Sequence, residues 1–170
     1  LFPLAPAVAQ PFTNGFDITT GADGATDVHS VDIDGDGDMD VLSVSAGDDT
    51  IAFYRNGDAA SGDGDGTSWT ETEIATGGAN GASSVYAADI DGDGDMDVLS
   101  AFSRTDRVVF YRNGDATSGD GDGTSWTETR IATGELNSNF SVYAADIDGD
   151  GDMDVVYPFI RTDRIAFYRN

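Results

Sequence analysis

The chain has no cysteine, so no disulfide can hold it together, and a bound metal is the natural substitute. Lysine is absent as well. All eight basic residues are arginine, set against 32 acidic ones. The net charge of −24 argues against nucleic acid or an anionic membrane as a partner. Histidine occurs once, at His29, and no serine stands near a plausible base, so nucleophilic and acid–base catalysis find almost no support. Hydrophobic runs are short, and none approaches the length of a membrane-spanning helix. Helical periodicity is missing throughout. At 170 residues the chain has the length of one domain.

What the chain has in excess is aspartate, and its placement is periodic. Asp32-Ile33-Asp34-Gly35-Asp36-Gly37-Asp38-Met39-Asp40 returns as Asp89 to Asp97 and again as Asp146 to Asp154, so the three copies are equally spaced along the chain. Five carboxylates at alternate positions repel one another, so a segment with nothing between them should stay extended and solvated. A hard cation reverses that balance. Calcium takes six to eight oxygen ligands, and a short loop with aspartates at positions 1, 3 and 5 and glycine at 6 can supply them.

The spacing assigns each residue a part. Asp32, Asp34 and Asp36 offer side-chain oxygens, and Gly37 permits the sharp turn because it lacks Cβ. Asp38 offers its backbone carbonyl and keeps its carboxylate outside, Asp40 closes the ring, and a buried Met39 pins the loop to the body. Asp89, Asp91, Asp93, Asp95 and Asp97 repeat this, as do Asp146, Asp148, Asp150, Asp152 and Asp154. On this assignment Asp93→Ala loosens one repeat and Asp95→Ala does little. Three calcium ions, one per repeat, would offset six charges and leave −18 of the −24.

An EF-hand would need glutamate at position 12 and flanking helices. Ser43, Ser100 and Tyr157 stand there, between strand-like runs, so that motif is excluded. An acidic low-complexity run that binds nothing is the plain alternative, but similar hydrophobic runs bracket all three copies. Magnesium fits less well, because it prefers to keep its waters.

Between the acidic loops the sequence reads as strands. In the middle repeat these are Ser84 to Ile90, Asp97 to Phe102, Arg107 to Arg112 and Trp126 to Ala132, rich in β-branched and aromatic residues. The first repeat has Val28 to Ile33, Val41 to Ser45, Thr50 to Arg55 and Trp69 to Ala75. The third runs from Val142 through Arg169 and shows three strands. Four antiparallel strands within one such repeat make the size of one propeller blade. Phe12 to Gly21 resembles Trp69 to Gly77 in place and pattern, so the N-terminal strand is expected to complete the last blade, within or between chains. The expected divisions are an arm or signal remnant over 1–11, an outer strand over 12–26, and blades over 27–83, 84–140 and 141–170.

With Asp-x-Asp-x-Asp-Gly-x-x-Asp after a small and aliphatic strand, followed by Asp-Val-Leu, the chain resembles the FG-GAP/VCBS repeat family of integrin α-like propellers. The resemblance covers nearly everything after about residue 12. It implies an all-β fold of propeller blades with calcium in the loop between a blade's first two strands. Family members include adhesion receptors, lectins and accessory modules of secreted enzymes. The Phe-Gly and Gly-Ala-Pro signatures are degenerate here, with Val85-Tyr86-Ala87-Ala88 standing in. Propellers carry four to eight blades, and three leave two readings open: a piece of a longer chain, or self-association into a ring or filament.

Several further positions carry weaker signals. Asp58, Asp63 and Asp65, and likewise Asp115, Asp120 and Asp122, could bind a second ion or merely solvate a hairpin tip. Trp69, Trp126 and the Phe-Tyr pairs at 53/54, 110/111 and 167/168 could stack on sugars, but alternation places one aromatic of each pair between blades. Arg104, Asp106 and Arg107, echoed by Arg161, Asp163 and Arg164, read as surface ion pairs in a turn. His29 occupies the position of Tyr86 and Tyr143, which is structural. Ala7-Val8-Ala9 resembles a signal cleavage site, Asn139-Phe140-Ser141 is a glycosylation sequon, and low-affinity calcium loops suit the millimolar calcium outside cells. The expectation is a secreted, non-enzymatic calcium-binding propeller module with a structural or adhesive role. A lectin, or an accessory domain of a secreted hydrolase, is the alternative, with an extracellular protein or glycan as partner.

Overall fold

The computed structural model describes residues 15–57, 64–76, 78–114, 121–133, 141–159 and 162–170. Within them the runs of β-branched and aromatic residues form eleven strands: β1 (Ala25–Val31), β2 (Asp40–Ser45), β3 (Thr50–Asn56), β4 (Trp69–Thr76), β5 (Ala82–Ala88), β6 (Asp97–Phe102), β7 (Arg107–Asn113), β8 (Trp126–Thr133), β9 (Tyr143–Ala145), β10 (Asp154–Phe159) and β11 (Arg164–Tyr168). No helix occurs among the described residues. The strands expected within the three repeats are all present, with ends shifted by a few residues. The sheets are antiparallel meanders, β1-β2-β3-β4, β5-β6-β7-β8 and β11-β10-β9. Their registers repeat with the sequence: Val41 pairs with Tyr54, Val98 with Tyr111 and Val155 with Tyr168.

The sheets pack face to face in chain order, first on second and second on third. A strand with both faces covered reads as a continuous apolar run, and β6, buried along its whole length, is Asp-Val-Leu-Ser-Ala-Phe. Ile33, Leu42, Val44, Ile51 and Phe53 of the first sheet meet Val85, Val98, Val109 and Tyr111 of the second. The same positions one repeat later, Ile90, Leu99, Val108 and Phe110, meet Val142, Ala144, Val155 and Tyr157 of the third. One face of each blade thus looks forward and the other back. β1, β5 and β9 also touch through a ladder of rings, His29 on Tyr86 at 4.8 Å and Tyr86 on Tyr143 at 4.4 Å between centroids. Burial holds the His29 imidazole below its usual pKa, with Asp27 opposing. It pushes the Tyr86 phenol up to about 12, aided by Tyr143.

Three expectations are corrected. Residues 15–24 form no strand. Phe16 to Thr20 instead lie against the first sheet, lining a cavity of about 370 Å³ with Val28, Val41 and Tyr54, and Thr19 shares a side-chain hydrogen bond with Tyr54. Among the described residues no blade lies behind the first, and this segment covers part of that apolar surface. Second, both aromatics of the 53/54 and 110/111 pairs are buried, whereas Phe167 and Tyr168 are exposed. Tyr54 is covered by residues 16–20, Phe167 faces forward where no described blade follows, and Tyr168 lies on β11, the edge of a three-stranded sheet. Third, Met39 is exposed, while Met96 and Met153 pack on the inter-blade clusters. Methionine pins its loop only where a preceding blade supplies the surface. Residues 1–14, including the expected arm, and the sequon at Asn139 lie outside the described residues.

Leu99 is fully buried between the second and third blades. We expect Leu99→Ala to lower stability by about 2–5 kcal/mol, read as a lower urea midpoint with an unchanged denaturant slope.

Candidate metal centres

Each acidic motif forms the connection between the first two strands of its blade. The loops are wrapped rather than extended, because aspartate side chains accept hydrogen bonds from backbone N–H groups two to five residues on. Asp32 accepts from Gly37 N at 3.0 Å, Asp89 from Gly92 N at 2.8 Å and Gly94 N at 3.1 Å, and Asp146 from Gly149 N at 2.7 Å and Gly151 N at 3.2 Å. Asp36, Asp93 and Asp150 accept from the N–H two positions on, at 2.9, 3.0 and 3.1 Å. Gly37, Gly94 and Gly151 have φ near +100°, as the turn at position 6 requires. The position-4 glycines Gly35, Gly92 and Gly149 are also left-handed.

Position 9 is fully buried in all three blades. One oxygen of Asp40 accepts from Ile33 N at 3.0 Å and the other from Asn56 N at 2.9 Å. Asp97 does the same with Ile90 N (2.9 Å) and Asn113 N (3.0 Å), and Asp154 with Ile147 N (3.1 Å) and Asn170 N (3.0 Å). This carboxylate therefore ties the start of the loop to the end of the third strand. Burial pushes the Asp97 carboxyl up to about 6, against the two N–H donors and with Asp91 and Asp93 adding to the rise. Asp40 is raised for the same reason, with Asp34 and Asp36 as the adding charges. Asp93 is raised first by desolvation and then by the charges of Asp91, Asp95 and Asp89.

Position 3 carries an unforeseen partner. Arg55, Arg112 and Arg169, from the end of the third strand, bond Asp34, Asp91 and Asp148 at 2.5, 2.5 and 2.6 Å. Asn56 and Asn113 follow, and each donates to the carbonyl of the loop methionine, Met39 or Met96, at 3.3 Å. The signal was Phe-Tyr-Arg-Asn at 53–56, 110–113 and 167–170, read for its aromatics alone. Position 7 keeps its carboxylate outside the cluster and gives it a partner in another loop. The Asp38 carboxylate accepts from Gly64 N, and that of Asp95 accepts from Gly121 N at 2.6 Å. Asp95 thus anchors the hairpin loop, so Asp95→Ala removes a contact that spacing within the acidic motif could not reveal.

One oxygen from each of Asp32, Asp34 and Asp36 lies within 4.8 Å of the others; in the later blades the sets are Asp89, Asp91 and Asp97, and Asp146, Asp148 and Asp154. Positions 1 and 3 come together in every blade, joined by position 5 in the first and by position 9 in the other two. Asp32 Oδ1, Asp36 Oδ2 and Asp93 Oδ2 are buried oxygens with no hydrogen-bond donor. An ionised carboxylate oxygen left so is costly unless a cation faces it. The donor set, all oxygen and mostly charged, fits a hard divalent ion.

The weaker candidates resolve differently. Asp65 and Asp122 accept from the backbone and hydroxyl of Thr67 and Thr124, which lowers both pKa values, the hydroxyl bond contributing most. They cap their own turns, while Asp58, Asp63, Asp115 and Asp120 lie outside the described residues. The Trp69 and Trp126 indoles donate to Gly66 and Gly123 carbonyls at 3.2 and 3.0 Å, and Trp126 packs on the first inter-blade cluster. Arg107 pairs with Glu128 at 3.7 Å and lies over Phe102, as Arg164 lies over Phe159. Asp49, Asp106 and Asp163 have φ near +55° in the turn before the third strand. Arg161 lies outside the described residues.

The FG-GAP-like repeat matches residues 32–100 and 89–157. Each matched stretch begins at the first aspartate of one acidic loop and ends within the strand that leaves the next. No curated protein matches the chain.

Removing the position-9 carboxylate strands two buried N–H groups, each worth about 1–3 kcal/mol. Asp97→Ala should therefore destabilise the chain by about 2–6 kcal/mol even in chelator, where a ligand lost to a metal has no effect. Urea denaturation in chelator measures this directly.

Proposed function

The chain belongs to the FG-GAP-like repeat family, and we propose that it is a secreted, calcium-stabilised β-propeller module with a structural or adhesive role. The observation that carries this reading is the set of buried carboxylate oxygens without donors, Asp32 Oδ1, Asp36 Oδ2 and Asp93 Oδ2, inside loops of otherwise satisfied aspartates. In each loop positions 1, 3 and 5 would hold the ion with side-chain oxygens, position 7 with its carbonyl, and position 9 with oxygens that already serve two N–H donors. Calcium supplies the positive charge that lets these carboxylates stand together. The arginine on position 3 supplies one further unit and leaves the other oxygens to the ion.

The role is static rather than catalytic. The aspartates are engaged by backbone donors and arginine, and the His29 ring lies tilted against Tyr86 with its charged form disfavoured by burial. Three equivalent loops each fasten their own blade, which suits a scaffold. Millimolar extracellular calcium would keep such sites filled. No helix of the described residues is long and apolar enough to cross a membrane.

Calcium at about one hundred times its Kd should add about 2.7 kcal/mol per site, so chelation should lower Tm sharply and magnesium should restore it poorly. Titration calorimetry should return three sites, matching the three clusters, and Asp93→Ala should abolish one. Identical melting curves in calcium and chelator would overturn the assignment.

A further inference from the structure

The outward faces of the first and third blades are built from residues that the same repeat buries elsewhere. Val28 is 64% exposed, whereas its equivalents Val85 and Val142 are each 4% exposed against a preceding blade. Phe167 is 44% exposed, against 0% for Phe53 and 7% for Phe110, which look forward onto a following blade. Ile147 is 48% exposed, where Ile33 and Ile90 are buried. The third blade thus presents the forward half of a joint seen twice within the chain, and the first blade presents the backward half.

We propose that these halves join between two copies of the chain, the third blade of each seating on the first blade of the other. The occupant is specified by continuity with the two internal joints, whose polar contacts have counterparts one repeat away. Asn113 donates to Ile33 O at 3.1 Å and Asn170 to Ile90 O at 2.6 Å; Asn56 of the second copy then donates to Ile147 O. Arg55 donates to Asp122 O at 2.9 Å, and Arg169 then reaches Asp65 O of the second copy. Gly123 sits so close to the first blade that a Cβ there would lie 2.5 Å from Phe53 and 3.2 Å from Ile33, whereas Gly66 has nothing within 4 Å. Gly66 of the second copy takes that place over Phe167 and Ile147. His29 of the second copy extends the ring ladder onto Tyr143.

The segment before β1 fits the same joint. Gly21-Ala22-Asp23-Gly24-Ala25 stands one repeat before Gly78-Ala79-Asn80-Gly81-Ala82, so residues 15–19 hold the register of 72–76 in β4. β4 pairs with β3 and then leads to the inner strand of the next blade. By that path residues 15–19 belong on the blade behind β1. In the joined state they leave their own first blade and pair with the edge of β11 that no described strand covers, in the other copy. The described blades of two copies number six, within the range that closes a ring, and the contact is head to tail.

Sedimentation of the 170-residue chain tests this, in calcium and in chelator, and in about 1 M salt, where charges are screened within about 3 Å. The expected particle has twice the 17.7 kDa chain mass. Val28→Asp and Phe167→Asp change exposed side chains at opposite ends. Each alone should return the single-chain mass with an unchanged circular dichroism spectrum, and an equal mixture should regain the two-chain particle through its one intact joint. A larger polymer reduced to single chains by both variants uses the same joint without closing it between two copies, and overturns the two-chain ring. A single-chain mass for the unaltered chain at every concentration overturns it. A dimer that survives either variant alone also overturns it, because a head-to-tail ring needs both faces. The calcium titration has its own readout, so failure of one reading leaves the other standing.

Discussion

Each blade depends on one fully buried carboxylate, Asp40, Asp97 or Asp154, that accepts hydrogen bonds from two backbone N–H groups far apart in sequence. That group cannot be moved without stranding both donors. It sets where the acidic loop begins and where the third strand ends, and so brings the loop under the arginine that follows the aromatic pair. The remaining aspartates are packed around it at distances where their charges repel strongly. Backbone donors and arginine hold them there, and the oxygens they leave over are grouped closely enough to hold a cation.

The loops also explain how blades meet. The asparagine that clasps position 9 through its own N–H sends its side chain to the carbonyl at position 2 of the preceding loop, as Asn113 and Asn170 do. Loop geometry and blade packing are therefore coupled through single residues. A cation that stiffens one loop stiffens the joint beside it, and the apolar contacts between Phe53, Ile33 and the hairpin at Gly123 complete the same seam. The stability of such an array rises with each neighbour gained, as expected for repeats whose faces cannot be covered alone.

Much of the candidate site was legible because its residues are adjacent in sequence. The alternation of aspartates, the left-handed glycine at position 6 and the strand runs on either side all follow from local sterics and period-two patterning. The residues that escaped notice lie elsewhere in the chain. Arg55, well beyond Asp34 in sequence, has no local reason to face it, and Gly64 has none to meet Asp38. Sequence spacing could offer Asp95 a carbonyl role only, because its side-chain partner comes from a different loop.

By itself the sequence determined the all-β class, the repeating unit, the strands and the acidic turns, since each rests on interactions within a few residues or on an identical repeat. Tertiary structure alone decided which copy of a repeated residue is buried. Val28 and Val85, Phe53 and Phe167, Met39 and Met96 are the same residues in the same local setting, yet one of each pair is covered and the other open. Burial depends on whether a neighbouring blade is present, and that is a property of the packed array rather than of the repeat. For the same reason the N-terminal segment, patterned as an outer strand, lies on the first sheet instead. A strand pattern states what a segment can pair with, and the nearest uncovered apolar surface decides where it goes.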